Sequence, residues 1–176
     1  MTRPPLLLAC LLLALFAAAC GDEPEQEAAA PVQTSTPAPT TAADLAADIG
    51  TAVETKPEVA KPSGAPPAEL QQQDVVEGKG KAAKPGDTVS VQYVGNSWST
   101  GAQFDASWDR GSEPFAFPLG AGQVIPGWDQ GVAGMKVGGR RVLVIPPDLA
   151  YGDQSPSPEI APNETLIFVV DLKKVA

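Results

Sequence analysis

The sequence predicts an α+β domain of five or six strands and one short helix, confined to the second half of a 176-residue chain. Three observations carry that reading. All three tryptophans and both tyrosines lie beyond residue 90, so the aromatic volume of a core is available only there. Several segments in that half alternate apolar and polar residues with the period of a half-buried strand. A single stretch, Val124, Ile125, Trp128 and Val132, carries helical spacing instead.

In chain order, a first extended segment runs from Leu70 through Glu77, and Lys84-Pro85-Gly86-Asp87 forms a turn. Thr88 to Val94 follows as a strand, with Val89, Val91 and Tyr93 on one face, and Gly95 is expected to end it. Phe104-Asp105 would point to opposite faces of an extended segment. Phe115, Phe117 and Leu119 share a face of the next strand. Pro126 suits the first turn of the helix, where a missing N–H costs nothing, and Gly131 and Gly134 weaken its end. Arg140-Arg141 reads as a solvated strand edge leading into Val142 to Ile145. Pro146-Pro147-Asp148 breaks the sheet, and a proline-spaced loop, Asp153 to Pro162, leads to the last strand, Thr165 to Lys173. There Leu166, Phe168, Val170 and Leu172 face one way, and Ile167 and Val169 face the other with Asp171 and Lys173. The sheet needs the helix to cover its apolar face.

The first half reads differently. Arg3 and about fourteen apolar residues from Leu6 to Ala19 make a signal-peptide core, too short to span a bilayer comfortably. The segment closes on Ala17-Ala18-Ala19-Cys20-Gly21, which resembles a bacterial lipobox with Ala17 where leucine is commonest. That reading makes residues 1–19 a signal peptide and Cys20 a lipidation site, and places the protein in the cell envelope as a membrane-anchored lipoprotein. The alternative is an ordinary secretory signal cut after Ala19. Residues 21 to 69 hold eight prolines and no aromatic residue, and they carry a net charge of -7. Residues 20–69 are therefore expected to be a disordered tether, with Ala42 to Ile49 able to form at most a turn or two of helix.

The chemistry that is missing is informative. The chain has no histidine, which excludes His-based acid/base catalysis, Ser-His-Asp triads and His-ligated zinc. Its cysteines, Cys10 and Cys20, both precede the domain, so the domain has no disulfide or thiolate chemistry. Phosphate-loop and dinucleotide spacings are absent. A net charge of -9 without a basic stripe argues against nucleic acid as a partner.

Val91-Gln92-Tyr93-Val94-Gly95, Phe104-Asp105-Ala106-Ser107, Phe115 to Trp128, Pro147 to Gly152 and Thr165 to Leu172 together resemble an FKBP-type peptidyl-prolyl cis-trans isomerase over essentially all of residues 70–176. The resemblance implies a twisted antiparallel sheet wrapped around one short helix, with no metal or cofactor. It implies a pocket that takes prolyl peptides and immunosuppressant macrolides, formed by Tyr93, Phe104, Phe115, Val124, Ile125, Trp128, Tyr151, Ile160 and Phe168. Trp128 would be its floor, Asp105 its carboxylate and Arg110 the arginine beside it. The Tyr151 hydroxyl and the Ile125 backbone N–H would donate to ligand carbonyls, and Gln123 would contribute backbone only. Exported proteins would be the substrates of a likeness read this way, and a monomer its working form. A proline-recognising binding module with incidental catalysis is the alternative. Trp108 is not a pocket position in that family and is expected at the rim.

Overall fold

The computed structural model describes residues 40–111 and 113–176; the expected signal peptide, Cys20 and the tether as far as residue 39 lie outside the described residues. In chain order the elements are α1 (Ala42–Asp48), β1 (Gln71–Val76), β2 (Thr88–Ser97), β3 (Gln103–Ala106), a 3-10 turn (Ser107–Arg110), β4 (Phe115–Pro118), α2 (Pro126–Gly131), β5 (Arg140–Ile145), a 3-10 turn (Pro147–Leu149) and β6 (Leu166–Val175). The six strands form one antiparallel sheet in the order β1-β5-β6-β2-β3. β4 pairs with the first half of β2, Thr88 to Val91, and β3 with its second half, Val94 to Asn96. The edge beside β2 is thus split, and the 3-10 turn Ser107–Arg110 follows β3 at the split.

The alternating faces are those the sequence announces. Val89, Val91, Tyr93, Phe117, Leu143, Ile145, Leu166, Phe168, Val170 and Leu172 are buried in one cluster with Trp128 and Val132 of the helical segment. The helix is only six residues long: Val124 and Ile125 precede it, Ile125 is its N-cap and Pro126 opens it. It can lie so close to the sheet because of two glycines. A Cβ at Gly127 would collide with Ile145 Cγ2, and one at Gly131 would stand 2.6 Å from Leu143 Cδ2. Gly131, costly as a helix residue, is what permits the packing.

Three expectations need correction. Strand β2 does not end at Gly95 but runs to Ser97, with a register shift against β3 between Gly95 and Asn96. A glycine is needed there for contact rather than for termination, since a Cβ at Gly95 would sit 2.7 Å from both Phe104 Cζ and Phe168 Cε1. Second, Arg140 and Arg141 are not a solvated edge. Arg140 is 1% exposed and forms a two-pronged pair with Asp171, Nε to Oδ1 at 2.6 Å and Nη2 to Oδ2 at 2.7 Å. Arg141 pairs with Asp74 on β1 and donates to the carbonyls of Gly131 and Ala133 behind α2.

Third, the segment from residue 40 to 69 lies against the sheet. Ala42, Leu45 and Ile49 are buried with Trp98 against Val142, Val144, Ile167 and Val169, the outer face of β5 and β6. Thr41 and Asp44 form a reciprocal capping box at the start of α1. A seven-residue helix has little stability of its own, so its order comes from this packing. Beyond it the chain is held in part by its backbone. Arg140 donates to the carbonyls of Gly50 at 2.6 Å and Thr55 at 2.7 Å, Lys173 to that of Val53 at 2.7 Å, and the Trp98 indole to that of Gly64 at 3.3 Å. The outer face therefore has its own cover, an N-terminal strap, just as the inner face has α2.

Candidate active site

A cleft of about 420 Å³ opens at the edge of the sheet beside α2, lined by Tyr93, Phe104, Asp105, Phe115, Gly122, Gln123, Val124, Ile125, Trp128, Tyr151 and Phe168. The floor is a set of rings meeting edge to face around Trp128. Its indole lies 5.0 Å from the Tyr93 ring and 5.2 Å from that of Phe168, at interplanar angles of 85° and 90°. Phe104 meets Phe168 at 5.5 Å and 85°. Edge-to-face geometry sets the positive edge of one ring against the negative face of the next, which fixes orientation as well as burial. Phe115 closes one side and is 40% exposed, with its ring 6.2 Å from Trp128.

The polar wall comes from β2, β3 and the turn that follows β3. The Tyr93 hydroxyl donates to Asp105 Oδ2 at 2.5 Å; Arg110 Nη1 donates to Asp105 Oδ1, and its Nη2 donates to the Tyr93 hydroxyl at 2.7 Å. The guanidinium carbon also stands 5.7 Å from the Tyr93 ring centroid. Burial, then donation to the Asp105 carboxylate, push the Tyr93 phenol up to about 12, with Arg110 working in the opposite direction. The same contacts to Tyr93 and Asp105 hold the Arg110 guanidinium above its ordinary value. Both Asp105 oxygens are thus engaged by neighbouring donors. Phe104 and Asp105 both border the cleft, although neighbours on a regular strand face opposite ways. The reason is local: β3 has four residues, carries a register shift and runs straight into the 3-10 turn.

At the opposite rim stands Tyr151, 36% exposed. Its position follows from the proline turn after β5, closed by the Ala150 and Gly152 N–H groups on the Pro147 carbonyl, both at 2.9 Å. Partial burial raises its phenol, and the charge of Asp105 adds to that. Gln123, Val124 and Ile125 lead into α2, and the loop before them is shaped by Asp129. That carboxylate accepts from the Gly120 N–H at 2.7 Å and the Gly122 N–H at 3.0 Å.

Of the twelve expected pocket residues, ten line the cleft. Arg110 stands behind the wall as its clamp, and Ile160, 4% exposed, is core packed with the ring cluster. Sequence reasoning missed Asp129, Gly95 and Ser107. The Ser107 Oγ accepts from the Tyr93 N–H at 2.8 Å and donates to Gln92. A carboxylate in the first helical turn, after a Gly-x-Gly loop, was a signal available for Asp129. Trp108 is half-buried, and Lys173 Nζ lies 5.6 Å from its ring centroid. Among the described residues no group of three or more Asp, Glu, Cys or His side chains is placed to hold a metal ion.

An antiparallel sheet packed on one short helix, with a ring-floored cleft beside that helix, defines the class of fold. The family of FKBP-type peptidyl-prolyl cis-trans isomerases matches residues 79–173. The chain is 63% identical over 121 residues to an FK506-binding protein of Streptomyces anulatus, covering 68% of this chain and 97% of that one. It is 53% identical over 93 residues to the peptidyl-prolyl cis-trans isomerase FPR2 of Saccharomyces cerevisiae, covering 53% and 68%. Among solved structures, AtFKBP13 is 40% identical with a TM-score of 0.54, over 61% of this chain and 93% of that one. FkpA from Escherichia coli is 49% identical with the same TM-score of 0.54, over 60% and 47%. The chain belongs to the FKBP-type peptidyl-prolyl cis-trans isomerase family and is an enzyme of that activity.

Proposed function

We propose that the cleft lowers the barrier to X-Pro rotation by desolvation and fixed hydrogen bonds, with no covalent intermediate and no proton transfer. The observation that carries this reading is the contrast within the site. Its floor is made of rings, while its one carboxylate is already held by both Tyr93 and Arg110. Rotation about the bond is opposed by amide resonance worth about 18–20 kcal/mol. Resonance places charge on the carbonyl oxygen and nitrogen, so a water-poor pocket disfavours the planar amide relative to the twisted one. Donors at the rim, the Tyr151 hydroxyl and the Ile125 N–H, then hold the twisted carbonyl. Each 1.4 kcal/mol of such preference is worth about tenfold in rate.

The substrates in this reading are prolyl segments of exported proteins, and FK506-type macrolides compete for the same cleft, as the names of the relatives suggest. The protein works as a monomer, anchored in the cell envelope through lipid on Cys20. What supports the anchor is the apolar stretch that ends at Cys20. Cys20→Ser is expected to leave the membrane fraction or to stay unprocessed at the signal peptide; unchanged fractionation with normal processing overturns the anchor. The mechanism is tested by isomerisation of short X-Pro peptides. Asp105→Leu is expected to lose more activity than Tyr151→Phe, and binding of peptide without acceleration by the wild type would overturn the catalytic reading in favour of a binding module.

A further inference from the structure

The 3-10 turn Ser107–Arg110 lies between the polar wall of the cleft and the N-terminal strap, and each of its four side chains has a partner. Ser107 and Arg110 reach inward, to the Tyr93 backbone and to the Asp105–Tyr93 pair. Trp108 and Asp109 are engaged from the other side. Lys173, whose ammonium donates to the Val53 carbonyl and to Glu54, stands over the Trp108 ring. Lys56 Nζ donates to both oxygens of Asp109, at 2.6 and 2.9 Å, and Gln103 donates to one of them at 2.8 Å. Lys56 in turn sits on anchored backbone, between Thr55, whose carbonyl is held by the buried Arg140, and the buried Pro57.

We propose that the strap braces the polar wall of the cleft, with Lys56 and Asp109 as positioning residues that act on the reaction through Arg110. The proposal rests on the isomerase reading of the cleft. Arg110 is the residue that needs such help. Its side chain is 55% exposed, it is long and rotamer-rich, and Gly111, at φ 105°, follows it at once. A clamp of this kind holds Asp105 and Tyr93 in one geometry only if its own backbone is fixed, and the strap fixes it from outside the cleft. The Lys56–Asp109 pair itself is exposed, 38% and 50%, so it adds little to global stability. Its consequence is local geometry.

The test is a cycle of variants in the full chain, read as kcat/KM on a short X-Pro peptide together with the thermal midpoint. Lys56→Ala is expected to lower kcat/KM about three- to tenfold while the midpoint moves by less than about 2 °C. Asp109→Ala should match it, Lys56→Arg should restore most of the rate, and the pair of alanines together should lose no more than either alone. In an Arg110→Ala background, Lys56→Ala should have no further effect. Full activity of Lys56→Ala, an equal fold-loss in the Arg110→Ala background, or a large drop in midpoint would each overturn the brace. An inactive wild type would overturn the isomerase reading and the brace with it; an active wild type with a neutral Lys56→Ala overturns the brace alone.

Discussion

The two faces of the sheet are both closed, but by different physics. The inner face is covered by α2 through close apolar packing, with glycines where helix and strands touch, and it leaves a cleft where the packing stops at the sheet edge. The outer face is covered by a strap with one short helix, and much of the rest of the strap is gripped by its carbonyls, through Arg140, Lys173 and Trp98. Apolar packing selects side chains and leaves a periodic trace in the sequence. Carbonyl recognition selects a path, and almost any residues can follow it.

The comparison can be broken most forcefully by removing the strap. A chain that begins at residue 70 exposes Val142, Val144, Ile167, Val169 and Trp98 and strips Arg140 of two acceptors. Relative to a chain that begins at residue 40, its unfolding free energy in urea is expected to fall by more than about 4 kcal/mol. Equal stability of the two would mean that the strap rests on the sheet without stabilising it.

Single substitutions sharpen the contrast. Trp128→Ala is expected to cost about 3–5 kcal/mol through the cavity it leaves. Arg140→Ala should cost about as much, 3–5 kcal/mol, for the opposite reason: Asp171 is left charged and buried. The two can be separated by pH. Burial raises Asp171 despite Arg140, so losing the arginine raises it further, and acid should then restore part of the stability of Arg140→Ala as Asp171 takes up a proton. Trp128→Ala has no such group, and its loss should be insensitive to pH between about 4 and 8.

A smaller effect separates the wall of the cleft from the rest. Tyr93 holds its proton to about 12 in the folded domain, against about 10 when unfolded. The stability tied to that shift is fully present below pH 10 and is lost as pH rises through 12, for a total of about 2–3 kcal/mol. Tyr93→Phe should flatten that alkaline decline in urea titrations at pH 9 to 12, and an unchanged slope would assign the decline to other groups. The smallest expected effect is on activity near neutrality. With Tyr93 and Tyr151 both shifted upward and no histidine in the chain, kcat/KM on a neutral X-Pro peptide should vary by less than about threefold from pH 6 to 8. A tenfold change would bring proton transfer into the mechanism.

By itself the sequence determined the inner layer and most of the cleft. Val89, Val91 and Tyr93 declare their strand because one face of it must be apolar, and Phe117 does so for β4, whose Phe115 lines the cleft instead. Trp128 and Val132 declare the helix in the same way. The pocket residues were legible only through the resemblance of their ordered motifs to FKBP-type isomerases. What only the tertiary structure decided is everything that depends on partners distant in sequence. Ile167 and Val169, on the same face as Asp171, hinted that the second face of β6 is not solvated, and Thr41 with Asp44 spelled a capping box. Yet nothing local says that a Pro- and Ala-rich segment will cover that face, since its helix is too short to stand alone and several of its remaining contacts run through carbonyls. Arg140 looks like a surface arginine until Asp171, 31 residues away, and Gly50, 90 residues away, are brought to it. Gly95 looks like a strand end until Phe104 and Phe168 close over it. Periodicity records what a residue faces in its own element; the partner that arrives from elsewhere in the chain is settled only when the elements pack.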